Sequence, residues 1–206
     1  MPRSLTETEI AEFRKKICDT ATRLFAENGV TGVTMRELAK ALKVSAMTPY
    51  RYFQDKNELL AELRAQAFNR FAAEAECTST QGDLVHQFLL KRDVYIRFAL
   101  SDPNSYRLMF DFTQPDMSNY PPLRTALARA NATMASHIEK MVEAGLLKGD
   151  PGLISRTLWS LLHGIVSLGL AGKWSAEMPT EMLVDAGCNA LMRGYGLDLS
   201  GHFQTY

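Results

Sequence analysis

Residues 33–58 read VTMRELAKALKVSAMTPYRYFQDKNE, from Val33 to Glu58, and they write three helix starts in quick succession. Thr34 with Glu37 three positions on forms a capping box, and Val33 with Leu38 takes the two positions of a hydrophobic staple across it. Ser45 offers a second N-cap and opens a short segment that ends at Tyr52-Phe53. Asp55 with Glu58 supplies the third start. Two short helices separated by Leu42-Lys43-Val44 have the layout of a helix-turn-helix, a unit whose second helix reads the major groove.

The rest of the chain supports an all-α reading. Of its 206 residues 46% are apolar, ordinary for a chain that buries a core, and helical periodicity runs nearly end to end with little strand-like alternation. Net charge is zero, and residues 1–60 hold ten bases against eight acids, a slight bias compared with the usual basic footprint. Cys18, Cys77 and Cys188 have neither chelating nor redox spacing, so they read as reduced packing residues of a cytoplasmic protein. The first residues have no apolar core and are not a signal peptide. The most apolar run, 158–171, is too short to span a bilayer and contains His163. The sequence contains no Gly-x-Ser-x-Gly elbow, Gly-rich phosphate loop or paired-carboxylate motif, so catalysis has no candidate residues, and neither a metal nor a cofactor is expected.

Taken in order, an amphipathic helix spans about 7–27 and ends at Asn28-Gly29, with Arg14, Lys15, Lys16 and Arg23 on its polar side. The cluster at 14–16 can meet phosphate or simply face solvent, and Arg23 is read as solvated. A connecting helix runs from Asp55 towards Glu76, and a polar loop at 77–83 follows. Further helices are expected over 84–100, 104–112, 123–147, 151–171 and 180–195, about nine in all, with Pro103 breaking one and Pro115, Pro121 and Pro122 marking a loop. The tail after Gly196 is expected to be mobile. This divides the chain into a helix-turn-helix head (1–54), a connecting helix and loop (55–82), and a body (83–206).

At this point the sequence resembles the TetR family of transcriptional regulators. The residues that carry the resemblance are Leu24-Phe25-Ala26-Glu27-Asn28-Gly29, Thr34-Met35-Arg36-Glu37-Leu38-Ala39, Val44-Ser45, Thr48-Pro49-Tyr50-Arg51-Tyr52-Phe53 and Lys56-Asn57-Glu58-Leu59-Leu60. The body is similar to a branch with a Trp-His-Gly signature, here Trp159, His163 and Gly164, and Asp102-Pro103 followed by Tyr106-Arg107-Leu108-Met109-Phe110 fits the same branch. Two departures stand inside the motif. Lys43 occupies the turn position where the family usually has Gly, at a cost of roughly 1 kcal/mol if the residue is left-handed. Ala46-Met47 replaces a basic or small residue and Gly, which suits Met47 to thymine methyl groups and leaves the operator sequence open.

The resemblance implies a three-helix DNA-reading head on a helical body that binds a ligand and dimerises. The expected DNA-binding residues are Thr34, Arg36, Ser45, Ala46, Met47, Thr48, Pro49, Tyr50, Tyr52 and Lys56. Thr34 and Ser45 are caps first, but hydroxyls at helix N-termini also meet phosphate. Tyr50 and Tyr52 are either packing aromatics or phosphate contacts, Lys56 resembles the family's phosphate-contacting lysine, and Arg36 is either a backbone contact or solvated. Phe88, Tyr95, Phe98, Tyr106, Met109, Phe110, Met134, Met141, Trp159 and His163 are the candidate ligand pocket, although helical spacing fits plain core equally well. Leu158, Leu161, Leu162, Ile165, Leu168, Met182, Leu183, Ala186, Ala190 and Leu191 expose more apolar surface than a monomer tolerates, and Gly164 and Gly169 permit close helix approach. A homodimer through a four-helix interface is therefore expected. The reading is a repressor released from a pseudo-palindromic DNA operator by a small apolar or amphipathic effector. The alternatives are an activator of the same fold, or a helical small-molecule-binding protein or enzyme with a vestigial head.

Overall fold

A computed structural model describes residues 6–78, 81–110 and 119–202. Among them lie eight α-helices and no strand: α1 (Glu7–Asn28), α2 (Met35–Leu42), α3 (Lys56–Glu76), α4 (Leu84–Ser101), α5 (Pro103–Met109), α6 (Pro121–Glu143), α7 (Pro151–Leu170) and α8 (Thr180–Gly194). They form two compact units, one from the described residues within Met1–Phe68 and Asn104–Leu127, the other from those within Asn69–Pro103 and Ala128–Tyr206. Phe112 and the expected loop around Pro115 lie outside the described residues; Pro121 and Pro122 open α6, where a missing N–H costs nothing.

In the first unit local chemistry sets each helix boundary. Thr6 caps α1 through a capping box with Glu9, and Gly29 at φ 73° ends it with its N–H on the Phe25 carbonyl. Thr34 and Glu37 form the expected capping box on α2, while Met35, Leu38, Ala39 and Leu42 turn inward as one buried stripe. Lys43 then adopts φ 57°, ψ 43° and is the one non-glycine with positive φ among the described residues. This left-handed residue lets the Val44 N–H reach back to the Ala39 carbonyl at 3.0 Å, which closes the helix and reverses the chain.

The expected second helix of the motif is the main departure. Over 45–52 the chain forms a turn and then a three-residue 3-10 helix, Pro49–Arg51. An α-helix capped by Ser45 needs the residue-49 N–H on the Ser45 carbonyl, and proline has none. That carbonyl accepts from Thr48 N–H at 2.8 Å instead, and the tighter step repeats from Arg51 to Thr48 and from Tyr52 to Pro49. Asp55 restarts the chain by accepting from Glu58 N–H at 2.8 Å. The core beneath gathers Ile17, Ala21 and Phe25 of α1, Val33, Leu38 and Leu42 around α2, Phe53 ahead of α3, Leu59, Leu60 and Leu63 of α3, and Leu108 of α5.

The second unit is built on the α7–α8 pair. Asp150 caps α7 by accepting from Leu153 N–H at 2.6 Å, with Pro151 at the first position. Ile154, Leu158, Leu162 and Val166 form its buried stripe, facing Val184, Cys188 and Met192 of α8. Gly187 sets the approach, since a Cβ there would lie 3.1 Å from Leu161 Cδ1 and 3.3 Å from Ile165 Cδ1. Arg92 of α4, 7% exposed, bonds Asp185 of α8 at 2.8 Å and its neighbour Asp93 at 2.7 Å. The tail departs from the mobile expectation as far as residue 202, because Leu199 is fully buried and its N–H bonds Asn189 Oδ1 at 2.8 Å.

Three further points differ from or refine the sequence reading. The whole of α7 is, by length and composition alone, long and apolar enough to cross a membrane, although the run 158–171 reads as too short. Cys77 is exposed and not a packing residue, whereas Cys18 and Cys188 are buried, and burial pushes their thiols up to about 11 and about 12. Among the described residues no three His, Cys, Asp or Glu side chains gather as for a metal ion.

Two predictions follow from this packing. Lys43→Gly relieves the left-handed cost and stabilises the protein by about 0.5–1 kcal/mol in denaturant melts. Burial, helped by Lys91 and Lys140, holds His137 below its ordinary 6.5 against the opposing bond to the Leu84 carbonyl. The unfolded chain therefore takes up the proton first, so stability is complete above about pH 6.5 and falls as pH drops through it. The thermal midpoint should be lower at about pH 5.5 than at about pH 7.5, and His137→Gln, which can still donate to Leu84, should flatten that difference.

Candidate nucleic-acid interface

Around the turn at Lys43 the chain presents one bare face. Ser45, Ala46 and Tyr50 are exposed, and Met47 is 68% exposed, far more than a large apolar side chain usually is. Thr48 is half-buried and Pro49 is buried. Pro49 thus anchors the segment from below as its neighbours point outward. Arg51 and Lys43, both exposed, add cations at the two ends of the face. Neither is among the contacts expected from the sequence, although Arg51 lies between Tyr50 and Tyr52 and Lys43 two residues before Ser45.

Of the remaining expected contacts, Thr34, Tyr52 and Lys56 have other partners in this structure. Thr34 is exposed, but its hydroxyl accepts from Glu37 N–H at 3.2 Å and donates to the Glu37 carboxylate at 2.9 Å. The Thr34 N–H, then its hydroxyl, holds that carboxyl below the usual range. Arg36 stands exposed on the outer side of α2. Tyr52 is half-buried with its ring 5.0 Å from Phe13. Lys56 donates to the Val30 carbonyl at 2.5 Å and lies 6.0 Å from the centre of the Phe25 ring, so it pins the loop between α1 and α2. Arg14, in the cluster that the sequence leaves open between phosphate and solvent, donates from Nη1 to the Tyr52 carbonyl at 2.5 Å and stacks 4.3 Å over Phe53. Lys15 pairs with Asp19 at 2.6 Å.

Chemically this face combines an apolar tip at Ala46-Met47, a hydroxyl at Ser45, a phenol at Tyr50 and flanking cations. Apolar groups suit thymine methyls in the major groove, and hydroxyls and bases suit phosphate.

The expected pocket residues are distributed over both units. Phe88, Tyr95, Phe98 and Met141 are buried and Met134 half-buried in the second unit; Tyr106 and Met109 are buried and Phe110 half-buried in the first. Trp159 is 40% exposed and stacks on His163, ring centres 5.4 Å apart and 20° from parallel; burial lowers the His163 pKa. Of the expected interface residues, Leu158 and Leu162 are buried at 0% and 2%. Leu161, Ile165, Met182, Leu183 and Leu191 are half-buried, and Leu168, Ala186 and Ala190 are exposed. Gly164 faces open space, whereas Gly169 sits against Thr180 and Trp174.

Two family models match this chain: bacterial regulatory proteins, tetR family, over residues 17–63, and the tetracyclin repressor-like C-terminal domain over residues 92–191. Together they cover well over half of it. The chain is 23% identical over 201 residues to the HTH-type transcriptional regulator Rv1816 of Mycobacterium tuberculosis, an alignment covering 82% of this chain and 86% of that one. Relatives of higher identity match over less than half of their own length. One is the transcriptional repressor Rv1474c of the same organism, 36% identical over 75 residues, 36% of this chain and 40% of that protein. A solved structure of the TetR family regulator PfmR from Thermus thermophilus superposes with a TM-score of 0.68 at 21% identity, covering 86% of this chain and 97% of that one.

The Lys56 contact generates a prediction about the head. Lys56→Met removes the donor to Val30 and should destabilise the protein by about 1 kcal/mol in denaturant melts; an unchanged midpoint would show that the bond contributes nothing in solution.

Proposed function

The chain belongs to the TetR family of bacterial regulatory proteins, a non-enzymatic family of DNA-binding transcriptional regulators, and from that premise we propose that it is a homodimeric repressor released from its operator by a small apolar or amphipathic effector. In this reading residues 1–54 read DNA, 55–82 connect, and 83–206 bind the effector and pair. The two copies insert segments 45–52 into successive major grooves of a pseudo-palindromic site. The observation that carries the proposal is the bare face itself: Met47 and Tyr50 held outward at 68% and 42% exposure on an anchor of buried Pro49 and Phe53. A repressor among the relatives supports the sign of the response.

The exposed Leu168, Ala186 and Ala190, with half-buried Leu161, Ile165, Leu183 and Leu191, support pairing of α7 and α8 with their two-fold mates, which removes that apolar surface from water. The same surface explains how α7 meets the length and composition of a membrane span in a regulator. The Trp159–His163 stack supports placing the body in the Trp-His-Gly branch. For the response, α5 lies within the stretch matched to the C-terminal domain, yet its Leu108 is buried in the head's core. Arg64 of α3 donates to the Met109 carbonyl at 3.0 Å, and Phe110 packs edge-on against Phe68. An effector that moves α5 therefore repacks the unit that carries the reading face, and biases a binding-competent arrangement against an incompetent one.

Tyr50→Ala should weaken operator binding about ten-fold, roughly 1.4 kcal/mol, at fixed salt, while the thermal midpoint and sedimentation stay unchanged. Wild-type affinity in that variant would contradict a role for this face.

A further inference from the structure

Resting on the DNA-reading role proposed above, we infer that Arg14 is the positioning residue that sets the angle of the reading segment, and that it makes no contact with phosphate. Three observations converge on its guanidinium. Nη1 donates to the Tyr52 carbonyl at 2.5 Å, at the C-terminal end of the 3-10 helix. The guanidinium carbon lies 4.3 Å over the ring of Phe53, the segment's buried anchor. Nη2 stands 3.8 Å from the Glu62 carboxylate on α3. One planar group thus ties α1, the end of the reading segment and α3 together.

The reading segment needs such a tie. It is a turn followed by a single 3-10 turn, with no side chain capping the 3-10 helix, and short 3-10 pieces have poorer hydrogen-bond geometry than α-helix. Its hold on the head is Pro49, Phe53 and the ring of Tyr52 on Phe13. Apolar packing alone resists displacement but sets orientation loosely; a charge-assisted bond with a fixed fork sets direction as well. The carboxylate of Glu62 draws the Arg14 charge towards α3 and away from a polyanion. Lysine cannot take the same place, since an ammonium lacks the plane that stacks on Phe53 while donating edgewise to Tyr52 and facing Glu62.

The test uses the full-length protein and an operator selected by the wild type from random-sequence duplex DNA, with a scrambled duplex as the non-specific probe. Affinity for both is measured across a salt series. Arg14→Met keeps the apolar stem and should lower operator affinity ten-fold or more, leave scrambled-duplex affinity unchanged, and leave the slope of log affinity against log salt unchanged. Arg14→Lys should behave like Arg14→Met. A slope reduced by about one in Arg14→Met, with equal loss on both duplexes and rescue by Arg14→Lys, would make Arg14 a phosphate contact and overturn the inference. Wild-type operator affinity in Arg14→Met overturns it too. If Arg14→Met lowers the thermal midpoint below the assay temperature, Arg14→Lys carries the same comparison. Failure of the wild type to enrich any sequence would instead remove the DNA-reading role, and the Arg14 role with it.

Discussion

Burial of Pro49 and Phe53 is the constraint on which the exposed face at 45–50, the one proposed to read DNA, depends. A segment this short makes few backbone bonds of its own, so its place on the head rests first on buried Pro49 and on Phe53, set into the core of α1, α2 and α3, with Tyr52 and Arg14 beside them. Removing a ring the size of Phe53 from water contributes about 2 kcal/mol or more, comparable to several surface contacts. Because Pro49 and Phe53 point inward, Ala46, Met47 and Tyr50 point outward. The left-handed Lys43 makes this possible: it reverses the chain within one residue of α2, so the segment lies across the head and does not prolong the helix. The strain at Lys43 and the burial at Pro49 and Phe53 are two sides of one arrangement.

Much of this was legible in the sequence, and the reasons are local. Caps need only side chains three residues apart, and the capping box at Thr34–Glu37 and the Asp55 side chain accepting from Glu58 N–H announce α2 and α3 directly. Lys43 stands at a turn where the family resemblance implies glycine, which leaves a left-handed backbone as one of two options; the structure takes it, at φ 57°. The recognition segment departs from the helix its side-chain pattern suggests because Pro49 has no N–H for the Ser45 carbonyl, which accepts from Thr48 instead. Lys56 resembles a phosphate contact and Arg14 stays open between phosphate and solvent in the sequence, because charge is visible there and its partner is not. The Val30 and Tyr52 carbonyls that accept from them lie 26 and 38 residues away. Local propensity reports which helices form, whereas the destination of a long cation is a tertiary fact.

The second unit shows the same division. The inner stripe of α7 follows from spacing, but spacing cannot tell the side that meets α8 from the side left bare. Leu158 and Leu162 proved to be inside the unit, and Leu168 outside it. Gly187, absent from any sequence argument, sets the closeness of α7 and α8, because only without its Cβ can Leu161 and Ile165 pack where they do. The presence of Leu108 in the head's core was equally invisible, since α5 follows a break at Asp102-Pro103 and reads as part of the body. That buried leucine places α5 in the same core as Phe53, which anchors the segment proposed to read DNA.

The most direct measurement is selection of bound DNA from a random-sequence pool by the full-length protein, followed by sequencing. The account predicts one enriched motif made of two inverted half-sites about one helical turn apart, as two copies reading successive major grooves require. A single unpaired half-site, or no enrichment over the starting pool, would contradict it.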